Sequence, residues 1–170
     1  GMCAEVFLPA RISEDLAAQA EQIGRQIAEL LEAVGVFAVE LFVSSGELLI
    51  NEIAPRVHNS GHVTIEASAT SQFSQHLRAI LDWPLGPTHS LQPAAVMVNV
   101  VGAETGDPRD HQAAALRAVP EAHLHLYGKA SRPARKIGHV TVTGESLEQC
   151  RTSAALAAAA LSSQEGSLHD

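Results

Sequence analysis

Two short apolar runs on either side of Ser44-Ser45-Gly46 constrain the fold more than any other feature of this chain. Residues 36–43 and 47–53 are rich in Val, Ile, Leu and Phe, and the Ser-Ser-Gly sequence between them is typical of a tight turn. The pattern predicts an antiparallel β-hairpin, and Pro55 ends its second strand.

Each strand of this hairpin carries one glutamate, Glu40 or Glu52, among apolar residues. A carboxylate in a strand suited to burial is costly unless it is paired or bound to a metal. With a three-residue turn at 44–46, Glu40 lies opposite Ile50 and diagonal to Glu52 on one face, about 7–8 Å apart. Two carboxylates so placed suit Mg²⁺ carrying nucleotide phosphates. A two-residue turn puts them on opposite faces, and the spacing equally allows glutamates that pair with arginines at a sheet edge.

A dense group of polar side chains follows the second strand, in a stretch (56–69) that lacks periodicity and is predicted to be mainly a loop. Arg56 is the sharpest candidate, because its planar guanidinium suits a carboxylate, bicarbonate or phosphate. His58 and His62 suggest zinc, but a third soft ligand is absent nearby, and isolated loop histidines usually lie at the surface. Asn59 and Ser60 complete the group.

Basic residues are concentrated in one segment of an acidic chain. The net charge is -8, which argues against a nucleic-acid partner, yet four of the 11 Lys and Arg residues fall within eight positions. A solvated loop is the simple alternative. Glycine and proline punctuate the segment and apolar strands flank it, which favours a phosphate site. The four residues are Lys129, Arg132, Arg135 and Lys136.

The remaining pattern predicts an α+β protein with two parts. Helices are expected at 13–34, with Ser13 as N-cap and Gly35 as the stop, and at 71–81, 110–119 and 146–161. Strands are expected at 94–101, 122–127 and 136–143, and residues 162–170 are expected to fray. The Pro-rich stretch 83–93 suggests a boundary between domains 2–86 and 87–170.

Composition bounds the environment. No apolar run reaches the length of a membrane span, so we expect no membrane partner. The two cysteines, Cys3 and Cys150, have neither metal-site spacing nor the density of a disulfide scaffold, and a reducing cytoplasm is the simplest interpretation.

Four segments resemble the carboxyaminoimidazole ribonucleotide synthetases of the ATP-grasp superfamily. They are GVFAVELFV, LLINEIAPRVHNSGH, TSQFSQHLRAILDWPLG and LHLYGKASRPARKIGHVTV, in that order. The formyl-phosphate-using glycinamide ribonucleotide enzyme is a more distant alternative. The resemblance implies the C-terminal lobe of an ATP-grasp fold over 2–86 and a small β-rich C-terminal subdomain over 87–170.

The resemblance also implies a reaction, in which ATP and bicarbonate carboxylate aminoimidazole ribonucleotide through carboxyphosphate. Roles follow by motif. Glu40 and Glu52 would bind Mg²⁺, with Asn51 and Glu52 at the nucleotide. Arg56 and His58, the candidate catalytic residues, would surround bicarbonate and the imidazole together with Asn59 and Ser60. Lys129 and Arg135, with Lys136 beside them, would bind the 5′-phosphate.

Two features depart from the family pattern. Val57 replaces a typical proline and Val63 a common aromatic residue, neither of which removes a catalytic group. ATP-grasp enzymes hold ATP between two lobes, so we expect the N-terminal lobe to come from the same or a separate chain. The chain alone is expected to lack turnover, and the family implies a homodimer. The alternative is a non-catalytic ribonucleotide-binding or dimerisation module derived from that enzyme.

Overall fold

The computed structural model describes residues 3–103 and 106–162 and confirms the α+β class. Two compact units form, one from Ala10–Leu91 and the other from the described residues of Gly1–Pro9 and Gln92–Asp170. The elements, in chain order, are β1 (Glu5–Leu8), α1 (Glu14–Leu31), β2 (Ala38–Ser44), β3 (Glu47–Ala54), α2 (Thr64–Ala67), α3 (Gln72–Ile80), β4 (Ala94–Val101), α4 (Gln112–Ala118), β5 (His123–Leu126), β6 (Lys136–Gly144) and α5 (Leu147–Ser162). Short 3₁₀ turns at Ser60–Val63 and Pro108–His111 precede α2 and α4.

Helix α1 begins where the sequence predicts and ends earlier. The Ser13 side chain accepts a hydrogen bond from the Leu16 amide (3.3 Å), and Glu14 and Asp15 lie at the positive end of the helix dipole. The C-terminal cap in the left-handed conformation is Glu32 (φ 47°), not Gly35 as predicted. Gly35 also has a positive φ (107°), and it lies against the His76 ring, so its role is in the connection that follows.

The Ser13 cap gives a first testable prediction. Ser13→Ala removes the acceptor for the Leu16 amide, and should lower the stability of the first turn of α1 by about 1 kcal/mol. Amide hydrogen exchange in α1 measures this. Ser13→Asp retains an acceptor and serves as the matched control, so equal exchange in both variants would contradict the capping role.

Residues 56–69 are more ordered than the predicted loop. They contain the 3₁₀ turn Ser60–Val63 and α2. Helix α3 then begins at Gln72, and its N-cap Ser71 accepts a hydrogen bond from the Ser74 amide (3.3 Å). Single turns of helix are too short to produce a recognisable apolar period, which explains why the sequence pattern does not reveal them.

The second unit is a four-stranded antiparallel sheet in the order β1-β4-β6-β5, with α5 packed against strands β4 and β6 and α4 packed against α5. Strands β4 and β6 are central and nearly fully buried. Helix α5 presents a face of small residues that allows close approach to the sheet. The small buried residues are Cys150, Ala154, Ala157 and Ala158, and the larger Leu161 is buried near the end of the helix.

The units divide the chain differently from the expected 2–86 and 87–170. The boundary lies between Leu91 and Gln92, and β1 belongs to the second unit because it pairs with β4. A four-residue strand followed by Pro9 has too little pattern to be recognised in isolation. Within the described residues, no helix is both long and apolar enough to cross a membrane.

Candidate functional site

The hairpin of β2 and β3 has a register that brings its two glutamates face to face. Ser44 pairs with Glu47, so Ser45 and Gly46 form a two-residue turn, with positive φ at both residues. The expected three-residue turn is therefore wrong. A β-bulge between Glu40 and Leu41 then shifts the register by one residue, so that Glu40 pairs with Glu52. They are directly opposite each other rather than diagonal.

The bulged residue is Asn51, which takes part in the same cluster. Its amide nitrogen donates to Glu40 Oε2 (3.1 Å), while the other Glu40 oxygen, Oε1, lies 2.8 Å from His58 Nε2. A carboxylate oxygen only accepts, so His58 Nε2 donates to Glu40, while Nδ1 faces the Ser60 amide (3.4 Å) and hydroxyl (2.8 Å). Both Glu40 oxygens are thus held by neighbouring side chains.

This cluster fits a hard cation. Ligand atoms of Glu40, Glu52 and His58 all lie within 4.8 Å of one another. Like charges directly opposite on two strands are destabilising, and a cation between them relieves that repulsion. Two carboxylates supplemented by water and phosphate oxygens are a donor set that Mg²⁺ accepts, whereas imidazole nitrogen is not. We therefore assign the carboxylates as candidate ligands and His58 as the group that orients Glu40.

The burial expected for these glutamates is not observed. The Glu40 side chain is 37% exposed and Glu52 is exposed, because apolar neighbours on the same strands are also open to solvent within this chain. Phe42 is 58% exposed and Ile50 56%. The predicted burial of the two glutamates is therefore wrong, and a cation site is indicated instead by the convergence of their carboxylates.

The loop that carries His58 is fixed by α3. Gln72 is buried, and its side-chain amide accepts from the His58 backbone amide (2.9 Å) and donates to the His58 carbonyl (2.8 Å). Phe73, the next residue, stacks on the His62 ring with centroids 5.4 Å apart. Gln72 and Phe73 lie in the segment TSQFSQHLRAILDWPLG, where nothing in the sequence pattern distinguishes a buried glutamine from a surface one.

The predicted site residues of the first unit are only partly brought together. Asn51, Glu52, Glu40 and His58 cluster, and Ser60 Oγ lies 2.8 Å from His58 Nδ1. Asn59 precedes the 3₁₀ turn that begins at Ser60. The Arg56 guanidinium instead donates to the neighbouring Val57 carbonyl (3.0 Å) and is exposed.

In the second unit, the basic segment forms a closed loop between β5 and β6. Ser131 Oγ bonds to both the amide (3.0 Å) and the carbonyl (2.9 Å) of Ala103, and the Gly102 amide donates to the Arg135 carbonyl (2.8 Å). A Cβ on Gly102 would lie 2.6 Å from the Arg132 backbone, so this close approach requires glycine. The cluster is therefore held on a defined loop.

The basic side chains of this loop make different contacts with the rest of the unit. Arg135 Nη1 donates to the Ala130 carbonyl (3.3 Å), and the Lys129 ammonium lies 5.2 Å from the centroid of the Tyr127 ring. Burial raises the pKa of Tyr127 to about 12, so its hydroxyl stays protonated at neutral pH, 2.7 Å from His139 Nδ1. Lys136 is half-buried and begins β6. Tyr127 was not predicted as part of this cluster.

Comparison with known proteins decides the family. A model of the ATP-grasp domain matches residues 1–73, and a model of the phosphoribosylaminoimidazole carboxylase C-terminal domain matches residues 95–153. The N5-carboxyaminoimidazole ribonucleotide synthase of Mycobacterium tuberculosis is 48% identical over 165 residues, covering 93% of this chain and 38% of that protein. The chain belongs to the N5-carboxyaminoimidazole ribonucleotide synthetase family.

Solved structures of synthetases agree with this assignment. The Thermus thermophilus enzyme matches with a TM-score of 0.82 at 42% identity, covering 98% of this chain and 44% of that one. The Aspergillus clavatus synthase, solved with ADP and 5-aminoimidazole ribonucleotide, matches with a TM-score of 0.85 at 36% identity over 95% and 44%. This synthetase-family chain thus spans less than half the length of the relatives it matches.

Proposed function

We propose that this chain carries the metal-nucleotide and ribonucleotide-binding parts of an ATP-dependent ligase. In the proposed reaction, bicarbonate and ATP carboxylate aminoimidazole ribonucleotide to its N5-carboxy form, a step of purine biosynthesis. The observation that carries the proposal is the convergence of Glu40, Glu52 and His58 within 4.8 Å, in a chain of this family. The complex of the Aspergillus relative with ADP and the ribonucleotide is consistent with it.

Glu40 and Glu52 would hold Mg²⁺, with Asn51 beside them at the nucleotide. When bound, the metal neutralises phosphate charge and polarises the transferred phosphoryl group. The contribution of this chain is orientation: His58 Nε2 and Asn51 Nδ2 fix the two oxygens of Glu40, so the carboxylate that faces Glu52 has a defined direction.

The loop after β3 would bind bicarbonate and the imidazole. Arg56 has an exposed guanidinium suited to an oxyanion, and Asn59 and Ser60 stand at the start of a 3₁₀ turn. His58 contacts Glu40 on one side and Ser60 on the other, which places it between the metal ligands and this loop. Its proposed contribution to catalysis is to hold the metal ligand Glu40 and the loop at Ser60 in a fixed arrangement relative to each other.

In the second unit, Lys129, Arg135 and Lys136 would bind the 5′-phosphate of the ribonucleotide. A phosphate dianion met by ammonium groups and a forked guanidinium makes charge-assisted hydrogen bonds. The closed loop and the Tyr127 ring limit the freedom of these long side chains before binding, which lowers the entropy cost of ordering them.

A homodimer and a cytoplasmic location complete the proposal. The described cysteines, Cys3 and Cys150, are both free thiols, which is consistent with a reducing compartment. The dimer rests on the resemblance to the family, and sedimentation of the purified chain tests it, since a monomer would contradict it.

An assay of the chain alone tests the proposal. With ATP, bicarbonate and aminoimidazole ribonucleotide, we expect no substrate-dependent ADP release, because this chain matches only 38% of a synthase and positioning of the reactants is a large part of catalysis. Calorimetry should nevertheless detect binding of the ribonucleotide. Turnover by the pure chain would contradict the proposal that it holds only part of the active site. Absence of any ribonucleotide binding would contradict the assignment of the basic loop.

A further inference from the structure

The side chain of Gln72 contacts the His58 loop at two residues, His58 and His62. Its oxygen accepts from the His58 amide (2.9 Å), and its nitrogen donates to the His58 carbonyl (2.8 Å) and lies 2.9 Å from His62 Nδ1. We propose that Gln72 is a positioning residue that sets the direction of the His58 ring toward Glu40. The metal part of this inference rests on the proposed function.

Gln72 itself has little freedom. Its backbone amide donates to Thr64 Oγ1 (2.9 Å), and that hydroxyl donates to the Gly61 carbonyl (2.6 Å). The residue is 8% exposed at the start of α3. A Cβ on Gly61 would come within 2.3 Å of the Gln72 amide oxygen, so the amide fills the space that glycine leaves. The Gln72 side-chain amide is thus held between helix α3, which carries it, and the loop that contains Gly61.

The contact has a geometric consequence for His58. Two opposed hydrogen bonds from one planar amide hold the His58 backbone as a neighbouring strand would, so its Cα–Cβ direction is fixed. The ring then reaches Glu40 Oε1 at 2.8 Å with its Nε2–H. Only glutamine combines the acceptor, the donor and the length: Glu lacks the donor, and Asn is shorter by one methylene.

A second glutamine on the same helix provides a matched control. Gln75 also makes two opposed hydrogen bonds, accepting from the Gly86 amide (3.0 Å) and donating to the Gly86 carbonyl (2.7 Å). Gln75→Met and Gln72→Met therefore remove the same kind of contact from the same helix. Only the second variant loosens the loop that carries His58.

The test measures the coupling of His58 to Glu40 through the ¹⁵N resonances of the His58 ring. Glu40→Gln should shift the Nε2 resonance in the unaltered chain and in Gln75→Met, and the shift should fall by half or more in Gln72→Met. Gln72→Glu, which keeps the acceptor, should fall in between and replaces Gln72→Met if that variant does not fold. An undiminished shift in a folded Gln72 variant would overturn the inference.

Mn²⁺ binding, followed by electron paramagnetic resonance, provides the second readout. We expect Gln72→Met to weaken Mn²⁺ binding about tenfold, because Gln72 holds His58 and His58 orients the ligand Glu40. Gln75→Met should leave Mn²⁺ binding unchanged. Equal weakening in both variants would indicate general loosening of α3 and contradict the specific role. If the unaltered chain binds no Mn²⁺, the proposed metal site fails, while the ring resonances still decide the role of Gln72.

Discussion

Replacement of Glu52 by Gln is expected to weaken Mn²⁺ binding to this chain about a hundredfold. Gln keeps the size of the side chain but removes one of the two charges that converge on the site. Glu52 has no hydrogen-bond partner among the described residues, so its carboxylate is available to a cation. Titration with Mn²⁺ followed by electron paramagnetic resonance measures the effect, and Glu40→Gln should behave alike.

The control is Glu47→Gln, which makes the same charge change on the same strand at the turn. It should leave Mn²⁺ affinity unchanged. The free energy of unfolding separates a metal ligand from a structural group. Without metal, Glu52→Gln relieves repulsion with Glu40 and should not destabilise the hairpin. A destabilised variant with unchanged Mn²⁺ affinity would show that the carboxylate is structural.

Arg135→Ala is expected to weaken binding of aminoimidazole ribonucleotide by about tenfold or more, since a charge-assisted hydrogen bond to phosphate contributes roughly 1.5–3 kcal/mol. Calorimetry measures it. Arg135 also donates to the Ala130 carbonyl, so Arg135→Lys is needed to separate charge from loop geometry. Lys retains the charge without the fork, and should restore part of the affinity.

Two comparisons make this prediction specific to the phosphate. The nucleoside without phosphate should bind weakly and be indifferent to Arg135→Ala. Arg117→Ala removes an exposed arginine from α4 of the same unit and should have no effect. Equal affinity for nucleotide and nucleoside would reassign the basic segment to a solvated loop.

The regular elements could be predicted because their patterns are long. Ser13 marks the start of α1, and β4 occupies the predicted residues 94–101. The strand β1 and the turns after residue 59 could not be found, since each has only about four residues. A short strand is identified by its partner, and the partner of β1 lies some ninety positions away in β4.

In the candidate site, a β-bulge compensates for an error in the predicted turn length. The expected turn length is wrong by one residue, and taken alone the two-residue turn would place Glu40 and Glu52 on opposite faces. The bulge at Asn51 reverses that consequence, and a bulge has no reliable signature in a single sequence. The polar loop was identified by composition, but the role of Gln72 depends on tertiary contacts that no sequence pattern encodes.

A chimera tests most directly whether this chain carries a working part of a carboxylating ligase. The chain would replace the matching segment of the Mycobacterium tuberculosis synthase, to which it is 48% identical. We expect the folded chimera to release ADP only when bicarbonate and aminoimidazole ribonucleotide are both present. Its Glu52→Gln form should lose this activity while keeping the same melting temperature. A folded chimera that binds ATP without releasing ADP, or a Glu52→Gln form that stays fully active, would contradict the claim.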